Sequence, residues 1–343
     1  MLKSAIAKVV GGGNLTEEEM IQVMEAIMGG EATPAQIAAF ITALRMKGET
    51  IDEIVGAARV MRAKATKVEV VPESGVLVDT CGTGGDASGT FNVSTTAAFV
   101  VAAAGVVVAK HGNRSVSSKC GSADVLEALG VDLSLDASQI ARCIREVGIG
   151  FMFAPALHGA MKHAIGPRRE IGIRTVFNVL GPLTNPAGAN VQVMGVFDPS
   201  LTEPLANVLG RLGSRRALVV CGEGNLDEIT ITGGTQVADW HDGAVTTYSI
   251  HPSQFGLSAA TLADIQGGAT PAEAASQLRT VLSGSAGPCL DMVLMNAGAA
   301  LMAAGKVADL ASGIEMARQV VTSGAAIAKV DALVDCCKRV KQA

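Results

Sequence analysis

The first 65 residues carry apolar side chains at helical spacing. Three stretches place an apolar residue every three or four positions: Met20, Met24 and Ile27, then Ile37, Phe40, Ile41 and Leu44, then Ile54, Ala57, Val60 and Met61. Each stretch follows a Thr (Thr16, Thr33, Thr50) with Glu or Gln three residues later, the capping-box pattern that satisfies the free N–H groups of a helix start. Gly29 and Gly48 then predict helix ends. We therefore predict that residues 1–65 form a small all-α domain.

From Val76 the pattern changes to short β-rich runs that alternate with Ala-rich helices. The predicted strands are Val76–Val78, Val106–Ala109, Val191–Val196 and Ala217–Val220, and the predicted helices include Ser122–Leu129 and Asp136–Val147. From Thr270 the pattern is helical again. Strand–helix alternation is typical of an α/β domain whose sheet is at least partly parallel. The predicted fold class is thus α/β: a small all-α domain plus a larger α/β domain, residues 70–343, with a central mixed or parallel sheet.

A basic segment between His158 and Pro186 interrupts the alternation of predicted strands and helices. Its end, Gly181-Pro-Leu-Thr-Asn-Pro186, cannot continue a helix because proline lacks the N–H group. Such a segment suits a crossover between two domains, and domain junctions often form ligand clefts. We interpret His158 and His163 as structural histidines and assign no chemistry to them.

Composition narrows the possible functions. The chain has 343 residues, of which 49% are hydrophobic and 17% charged, with a net charge of -5. We expect no nucleic-acid partner, because such domains are normally basic. We expect no membrane association, since the best apolar run, Thr96–Ala109, is shorter than the roughly 20 residues of a membrane span. No secretory signal begins the chain, and none of the seven cysteines forms a C-x-x-C pair, so we expect a reduced, cytoplasmic location.

The glycine-rich segment Gly82-Thr-Gly-Gly-Asp86 follows a predicted strand. It is not the dinucleotide fingerprint, which would need Gly at Ala87, nor a P-loop, which would need Lys at Thr90. Two interpretations stay open: a nest of backbone N–H groups that binds an anion, and a plain tight turn. Cys81 could be a nucleophile, although a buried thiol is the more common role of such a residue.

Two further segments carry candidate chemistry. Residues 110–118 join a predicted strand to a predicted helix and contain Lys110 and Arg114, cations that suit an anion bound at the helix start. The alternative is a solvated basic loop. Asp227 and Glu228 follow another predicted strand. Paired carboxylates there suit Mg²⁺ on a diphosphate, although adjacent carboxylates in a loop of this kind are more often surface charges.

Taken together, these motifs resemble the anthranilate phosphoribosyltransferase family. The resemblance is carried by Gly82-Thr-Gly-Gly-Asp86, Phe91-Asn-Val-Ser-Thr95, Lys110-His-Gly-Asn-Arg-Ser-Val-Ser-Ser118, Phe177-Asn-Val-Leu-Gly-Pro-Leu-Thr-Asn-Pro186 and Gly224-Asn-Leu-Asp-Glu228. It implies transfer of the phosphoribosyl group of 5-phosphoribosyl 1-diphosphate to the amine of anthranilate, with release of pyrophosphate and with Mg²⁺, in tryptophan biosynthesis. It also implies a helical domain completed by about residues 165–186, and a homodimer formed through the helical domains.

The resemblance also implies roles for single residues. Phosphoribosyl diphosphate would be held by Gly82, Gly85, Asp86, Thr90, Asn92, Val93, Ser94, Thr95, Lys110, His111, Gly112, Asn113, Arg114, Ser115, Val116, Ser117, Ser118 and Ser122. Mg²⁺ would be held by Ser94, Asp227 and Glu228, and anthranilate by Gly82, Asn113 and Arg168. Lys110 and Arg114 would stabilise transition-state charge, with no general base needed.

Two alternatives remain. A pyrimidine nucleoside phosphorylase of the same general fold would cleave a ribosyl–base bond with phosphate, but Asp227 and Glu228 speak against it. A non-catalytic relative would bind a phosphosugar without turnover.

Overall fold

The computed structural model describes residues 1–86, 88–114 and 120–342. Its helices are α1 (Leu2–Val10), α2 (Glu17–Met28), α3 (Pro34–Lys47), α4 (Ile51–Lys64), α5 (Val93–Ala103), α6 (Ser122–Leu129), α7 (Ala137–Val147), α8 (Ala154–Leu157), α9 (Lys162–Ile171), α10 (Phe177–Leu180), α11 (Thr202–Arg211), α12 (Pro271–Leu282), α13 (Pro288–Ala303), α14 (Leu310–Thr322) and α15 (Ala325–Gln342). Its strands are β1 (Leu77–Gly82), β2 (Val107–Gly112), β3 (Ile149–Phe153), β4 (Val191–Gly195), β5 (Arg216–Gly222), β6 (Thr235–His241) and β7 (Ala244–Ile250).

The N-terminal helices begin where the capping pattern predicts. Thr16, Thr33 and Thr50 are the N-caps of α2, α3 and α4, and each forms a reciprocal capping box with the Glu or Gln three residues later. Thr270 does the same for α12. A cap of this kind stabilises a helix by about 1 kcal/mol through contacts four residues apart at most. The predicted helix starts are confirmed because they depend on local interactions.

The sheet has the strand order β3-β2-β1-β4-β5-β6-β7. The five strands β1 to β5 are parallel, and β6 and β7 add an antiparallel hairpin at one edge. Between β1 and β4 the order reverses, and open α/β sheets bind ligands in the crevice outside the carboxyl ends of strands at such a point. The predicted combination of a helical N-terminal domain and an α/β domain with a mixed sheet is confirmed.

The strands differ in detail from the predicted ones. Polar residues extend two of them at the carboxyl end, so Asp79 lies inside β1 and Lys110 inside β2, whereas the prediction ended these strands at Val78 and Ala109. Three strands, β3, β6 and β7, were not predicted. The missed hairpin is closed by Asp242 (φ 49°) and Gly243 (φ 85°), the Asp-Gly turn typical of two-residue hairpins.

Two hydrophobic clusters cover the two faces of the sheet. Leu218 and Val220 of β5 face one cluster, which contains α5 and the fully enclosed helix α13. Val219, between them, faces the other cluster, which contains α1 to α4 and α11. Alternate residues of a strand point to opposite faces, so the N-terminal helices pack on one side of the sheet.

The segment around α9 and α10 packs with the N-terminal helices. Ala164, Val176 and Phe177 are buried in the same cluster as Phe40 of α3. The division into residues 1–65 with 165–186 and residues 70–343 stays a prediction. No helix in the three described stretches is long and apolar enough to cross a membrane.

Candidate active site

The loops that follow β1, β2 and β5 meet at the carboxyl edge of the sheet. The N–H group of Gly84 donates to Asp227 Oδ2 over 2.7 Å, and the N–H group of Ser94 donates to Glu228 Oε1 over 3.1 Å. Parallel strands end on the same edge, which is why loops far apart in the sequence converge here. The glycine-rich loop, the start of α5 and the two adjacent carboxylates therefore form one site.

Close approach explains the glycines around Asp227. A Cβ atom at Gly82 would overlap the Asp227 carboxylate, and one at Gly195 would overlap the Asp227 carbonyl oxygen. Neither position has room for a side chain. These two glycines allow the acidic loop to lie directly against the ends of β1 and β4.

The surroundings of Asp227 and Glu228 disfavour the ionised form of both carboxyl groups. Burial, followed by the charge of Asp86, raises the pKa of Asp227 to about 7. Burial, followed by the charge of Asp227, raises the pKa of Glu228 to about 8, although Lys110 opposes this shift. Two hard oxygen donors in this state suit a divalent cation, which would favour the ionised carboxylates.

Protein side chains alone do not complete a metal site here. In the part of the chain that the structure describes, no three His, Cys, Asp or Glu side chains are arranged to hold a metal ion. Asp227 and Glu228 supply two carboxylates, so a bound ion would need further oxygen ligands from a substrate or water. This is the usual situation for Mg²⁺ held between one or two carboxylates and phosphate groups.

Lys110 lies beneath the glycine-rich loop rather than on the surface. Its side chain is only 3% exposed, and Nζ donates to the carbonyl oxygen of Thr80. Burial lowers the pKa of Lys110, while the neighbouring carboxylate of Asp79 opposes that shift. The ammonium group is therefore held in place at the base of the site by its bond to Thr80, with the Asp79 carboxylate nearby.

Asp79 connects β1, β2 and the Leu-Thr-Asn-Pro motif, a role that the sequence did not predict. Its carboxylate accepts from the N–H group of His111 over 3.2 Å and from Asn185 Nδ2 over 2.8 Å. Asn185 Nδ2 also donates to the carbonyl oxygen of Ala109 over 2.8 Å. Burial raises the pKa of Asp79 to about 6 despite the charge of Lys110. Asn185, in the Leu-Thr-Asn-Pro motif, thus joins β1 to β2 through hydrogen bonds.

His111 and His158 form a buried pair. Their Nε2 atoms lie 3.2 Å apart, so one ring donates and the other accepts. Burial lowers the pKa of His111 to about 3 and that of His158 to about 4. Both rings are neutral at pH 7, and this geometry confirms a structural contact for His158.

At the start of α5 two backbone donors are already in use: the N–H group of Val93 donates to the carbonyl oxygen of Phe91 over 2.8 Å, and that of Ser94 donates to Glu228. The N-cap of α5, Asn92, makes no side-chain capping bond and instead donates through Nδ2 to the carbonyl oxygen of Cys120 over 3.1 Å. Val93 and Thr95 are almost fully buried. The Glu228 carboxylate lies at this helix start, which is a favourable place for an anion.

Asp86 organises the second half of the glycine-rich loop. Its carboxylate accepts from the N–H group of Ser88 over 3.1 Å and from Ser88 Oγ over 2.7 Å. Ser88 Oγ in turn lies 3.2 Å from Thr90 Oγ1. These bonds hold the loop in one shape before any ligand arrives.

The loop after β2 is described only in part. Ser122 Oγ donates to the carbonyl oxygen of Asn113 over 3.2 Å, which ties the loop to the start of α6. Arg114 pairs with Asp124 at 2.7 Å and with Glu127 at 2.9 Å, and these carboxylates raise its pKa. The predicted ligand residues Ser115, Val116, Ser117 and Ser118 lie outside the described residues.

Two arginines of the crossover segment stack on aromatic rings. The guanidinium of Arg168, on α9, lies 4.9 Å from the ring centre of Phe177, and burial lowers the pKa of Arg168. Arg174 was not predicted as a site residue. Its guanidinium stacks over Phe197 at 4.1 Å and donates to the carbonyl oxygen of Gly85. The crossover therefore touches the glycine-rich loop directly.

Cys81 is a buried thiol. It is 7% exposed, and Gln192 Nε2 donates to its sulfur over 3.0 Å. Burial raises its pKa well above the ordinary value, so no thiolate forms at neutral pH. The interpretation of Cys81 as structural is confirmed.

Comparison with known proteins supports this geometry. The chain matches the Glycosyl transferase family, a/b domain, over residues 74–327 and the Glycosyl transferase family, helical bundle domain, over residues 3–65. The anthranilate phosphoribosyltransferase of Desulfotalea psychrophila is 64% identical over 97% of this chain and 96% of that protein, and the one from Moorella thermoacetica is 59% identical over 97% and 98%.

Solved structures superpose closely on this chain. The crystal structure of anthranilate phosphoribosyltransferase from Thermus thermophilus superposes with a TM-score of 0.92 at 45% identity, covering 97% of this chain and 99% of that one. The Saccharomyces cerevisiae enzyme in complex with PRPP and Mg superposes with a TM-score of 0.90 at 29% identity, covering 98% of both chains.

Proposed function

The chain belongs to the anthranilate phosphoribosyltransferase family, and from this premise we propose how its cleft transfers the phosphoribosyl group of 5-phosphoribosyl 1-diphosphate to the amine of anthranilate. The products are N-(5-phosphoribosyl)anthranilate and pyrophosphate, and the reaction belongs to tryptophan biosynthesis. One observation carries the proposal: the bonds from Gly84 to Asp227 and from Ser94 to Glu228 join an anion-binding loop, a helix start and two carboxylates.

Phosphoribosyl diphosphate binds beside the glycine-rich loop and the start of α5, where the N–H groups of Gly84 and Ser94 would exchange their bonds to Asp227 and Glu228 for bonds to phosphate oxygens. Lys110 supplies a positive charge beneath the loop, which strengthens as water leaves the site. The remaining contacts come from the residues that the family resemblance implies, including Asn92, Asn113 and Ser122. Arg114 can join them only by loosening its ion pairs with Asp124 and Glu127.

Mg²⁺ is held by Asp227 and Glu228, with Ser94 beside them. The raised pKa values of the two carboxylates support this role, because a divalent cation relieves the unbalanced charge. When bound, the ion neutralises negative charge that grows on the diphosphate leaving group. A relative from Saccharomyces cerevisiae has been solved with PRPP and Mg.

Anthranilate binds beside Gly82 and Asn113, with its carboxylate on Arg168. The half-buried guanidinium of Arg168 lies over the Phe177 ring, and burial is the cause of its lowered pKa, so an anionic substrate would stabilise its charge. Arginine suits this task because its planar fork pairs with both carboxylate oxygens.

The reaction breaks the bond between C1 and the diphosphate oxygen and forms a bond between C1 and the amine nitrogen. The electron pair of the broken bond leaves with pyrophosphate, and the amine nitrogen loses one proton to the departing pyrophosphate or to water. An aromatic amine is neutral at physiological pH, so the protein has to align it and stabilise charge rather than provide a strong base. The lowered pKa values of His111 and His158 make both rings weak bases, which agrees with a reaction that needs no strong base.

The working protein is a cytoplasmic homodimer that associates through its helical domains. Val10, 69% exposed, and Met46, 84% exposed, lie on the packed helices α1 and α3 and support an apolar contact there. Light scattering on a size-exclusion column tests this directly. A monomer at micromolar concentration would contradict it.

The test of the function is a three-component assay. Purified protein is mixed with phosphoribosyl diphosphate, Mg²⁺ and anthranilate, and the loss of anthranilate fluorescence is followed. We expect loss only when all three are present. Phosphoribosyl diphosphate binding without turnover would favour a non-catalytic sensor, and turnover of a pyrimidine nucleoside with phosphate would favour the phosphorylase.

A further inference from the structure

A short segment, residues 265–268, runs along the outside of the glycine-rich loop, and we call it the strap. It pairs with the loop like an antiparallel strand, with a bridge between Thr90 and Gln266. The N–H group of Phe91 donates to the carbonyl oxygen of Ile265 over 3.0 Å, and the N–H group of Gly267 donates to that of Gly89 over 2.8 Å. The strap therefore holds the loop at the point where it enters α5.

Gln266 adds a side-chain bond to this pairing. Its Nε2 atom donates to the carbonyl oxygen of Ser88 over 3.0 Å and to that of Leu262 over 3.1 Å. Two successive loop carbonyls, of Ser88 and Gly89, are thus bonded to the strap. Because a trans peptide is planar, the N–H groups of Gly89 and Thr90 then point away from the strap.

A second glutamine fastens the strap to α12. Gln277 Nε2 donates to the carbonyl oxygen of Gln266 over 2.9 Å, and Gln277 Oε1 accepts from the N–H group of Gly268 over 3.2 Å. A Cβ atom at Gly268 would lie 2.5 Å from the nitrogen of Ala274, so the strap lies directly on the helix. The amide group of Gln277 thus bonds the strap through both its nitrogen and its oxygen.

The loop needs this support because it is rich in residues with backbone freedom. Gly84, Gly85 and Gly89 all adopt positive φ angles, at 68°, 81° and 69°. A free loop of this composition would lose much conformational entropy when it closes on an anion, and a loop fixed beforehand avoids most of that loss.

We propose that the strap positions the glycine-rich loop for phosphoribosyl diphosphate, and that Gln266 and Gln277 are positioning residues that act through Ser88 and Gly89. The inference rests on the proposed function. Neither glutamine touches the reacting atoms in this scheme. Their effect should fall on the affinity for phosphoribosyl diphosphate and leave the anthranilate site unchanged.

Three variants test the strap. Gln266→Ala removes the bond to Ser88, Gln277→Glu keeps the acceptor for Gly268 but loses the donor to Gln266, and Gln319→Ala is the control on the exposed face of α14. We expect the first two to raise the KM for phosphoribosyl diphosphate about three- to tenfold, the range that the loss of one or two hydrogen bonds gives. The KM for anthranilate and the melting temperature should stay close to wild type.

Amide hydrogen exchange of residues 88–91 supplies a readout that does not depend on turnover. Faster exchange in Gln266→Ala, without faster exchange in α5, is the expected result. An unchanged KM for phosphoribosyl diphosphate in both variants, or a lower melting temperature with unchanged KM values, would overturn the proposal. A wild-type protein without turnover would refute the proposed function instead, and unchanged exchange would still refute the strap.

Discussion

The backbone N–H group of Gly84 donates to the carboxylate of Asp227 over 2.7 Å, joining two loops that are 143 residues apart. The bond places a loop that suits phosphate beside a carboxylate that suits a metal ion. Neither loop is specific alone, since glycine turns and acidic pairs are common at protein surfaces. Their contact supports the proposal that this site binds a metal-bound diphosphate.

The paired carboxylates should control the response to Mg²⁺. We expect the double variant Asp227→Asn, Glu228→Gln to lose at least about tenfold in turnover and to need more Mg²⁺, because it lacks the charges that hold the ion. Initial rates across a Mg²⁺ titration measure both effects. Asp335→Asn, on the exposed surface of α15, is the control, and a double variant with a wild-type titration curve would reduce the pair to surface charge.

The same carboxylates should make the ligand-free protein less stable as the pH rises. Their folded-state pKa values are about 7 and about 8, so between pH 6 and 8.5 folding retains protons that the unfolded chain has already lost. The free energy of unfolding therefore falls with rising pH in this window. We expect the melting temperature of wild type to fall by about 2–4 °C more than that of the double variant.

The buried histidines do not change the difference in melting temperature between wild type and the double variant. His111 and His158 have depressed pKa values, which make stability rise with pH up to about the ordinary histidine pKa, but they are present in both proteins. Added Mg²⁺ should remove most of the difference at pH 8.5 because it favours the ionised carboxylates. Parallel melting curves without Mg²⁺ at every pH would contradict the assigned pKa shifts.

Arg168 should determine anthranilate affinity. We expect Arg168→Ala to raise the KM for anthranilate by about tenfold to a hundredfold, the range for one charge-assisted hydrogen bond of roughly 1.5–3 kcal/mol. The KM for phosphoribosyl diphosphate should change little. Arg169→Ala, the exposed neighbour, is the matched control, and equal effects of the two substitutions would remove Arg168 from the anthranilate site.

Gly195 should tolerate no side chain. A Cβ atom there would overlap the carbonyl oxygen of Asp227, so Gly195→Ala should displace the acidic loop and destabilise the protein by about 1–3 kcal/mol. Gly159→Ala has open space around it and should stay within about 0.5 kcal/mol. Urea unfolding compares the two, and a stable Gly195→Ala protein with normal Mg²⁺ dependence would show that the acidic loop moves freely.

The sequence by itself determined the features that depend on near neighbours. The starts of α2, α3, α4 and α12 could be predicted because each capping box lies within four residues. The candidate phosphate-binding loops could be proposed from the sequence because their glycines and hydroxyls follow β-rich runs closely. The Asp-Gly turn of β6 and β7 was also a local signal, although it was not used.

Tertiary structure alone decided which distant residues meet. Asp79 gains its partner Asn185, Arg174 reaches Gly85, and Gln266 reaches Ser88 only after the strands have been ordered in the sheet. It also decided that Lys110 is a buried strand residue, because β2 is covered on both faces. A sequence pattern records the period of one element, whereas these contacts depend on strand order and on the packing of the crossover, which no single segment encodes.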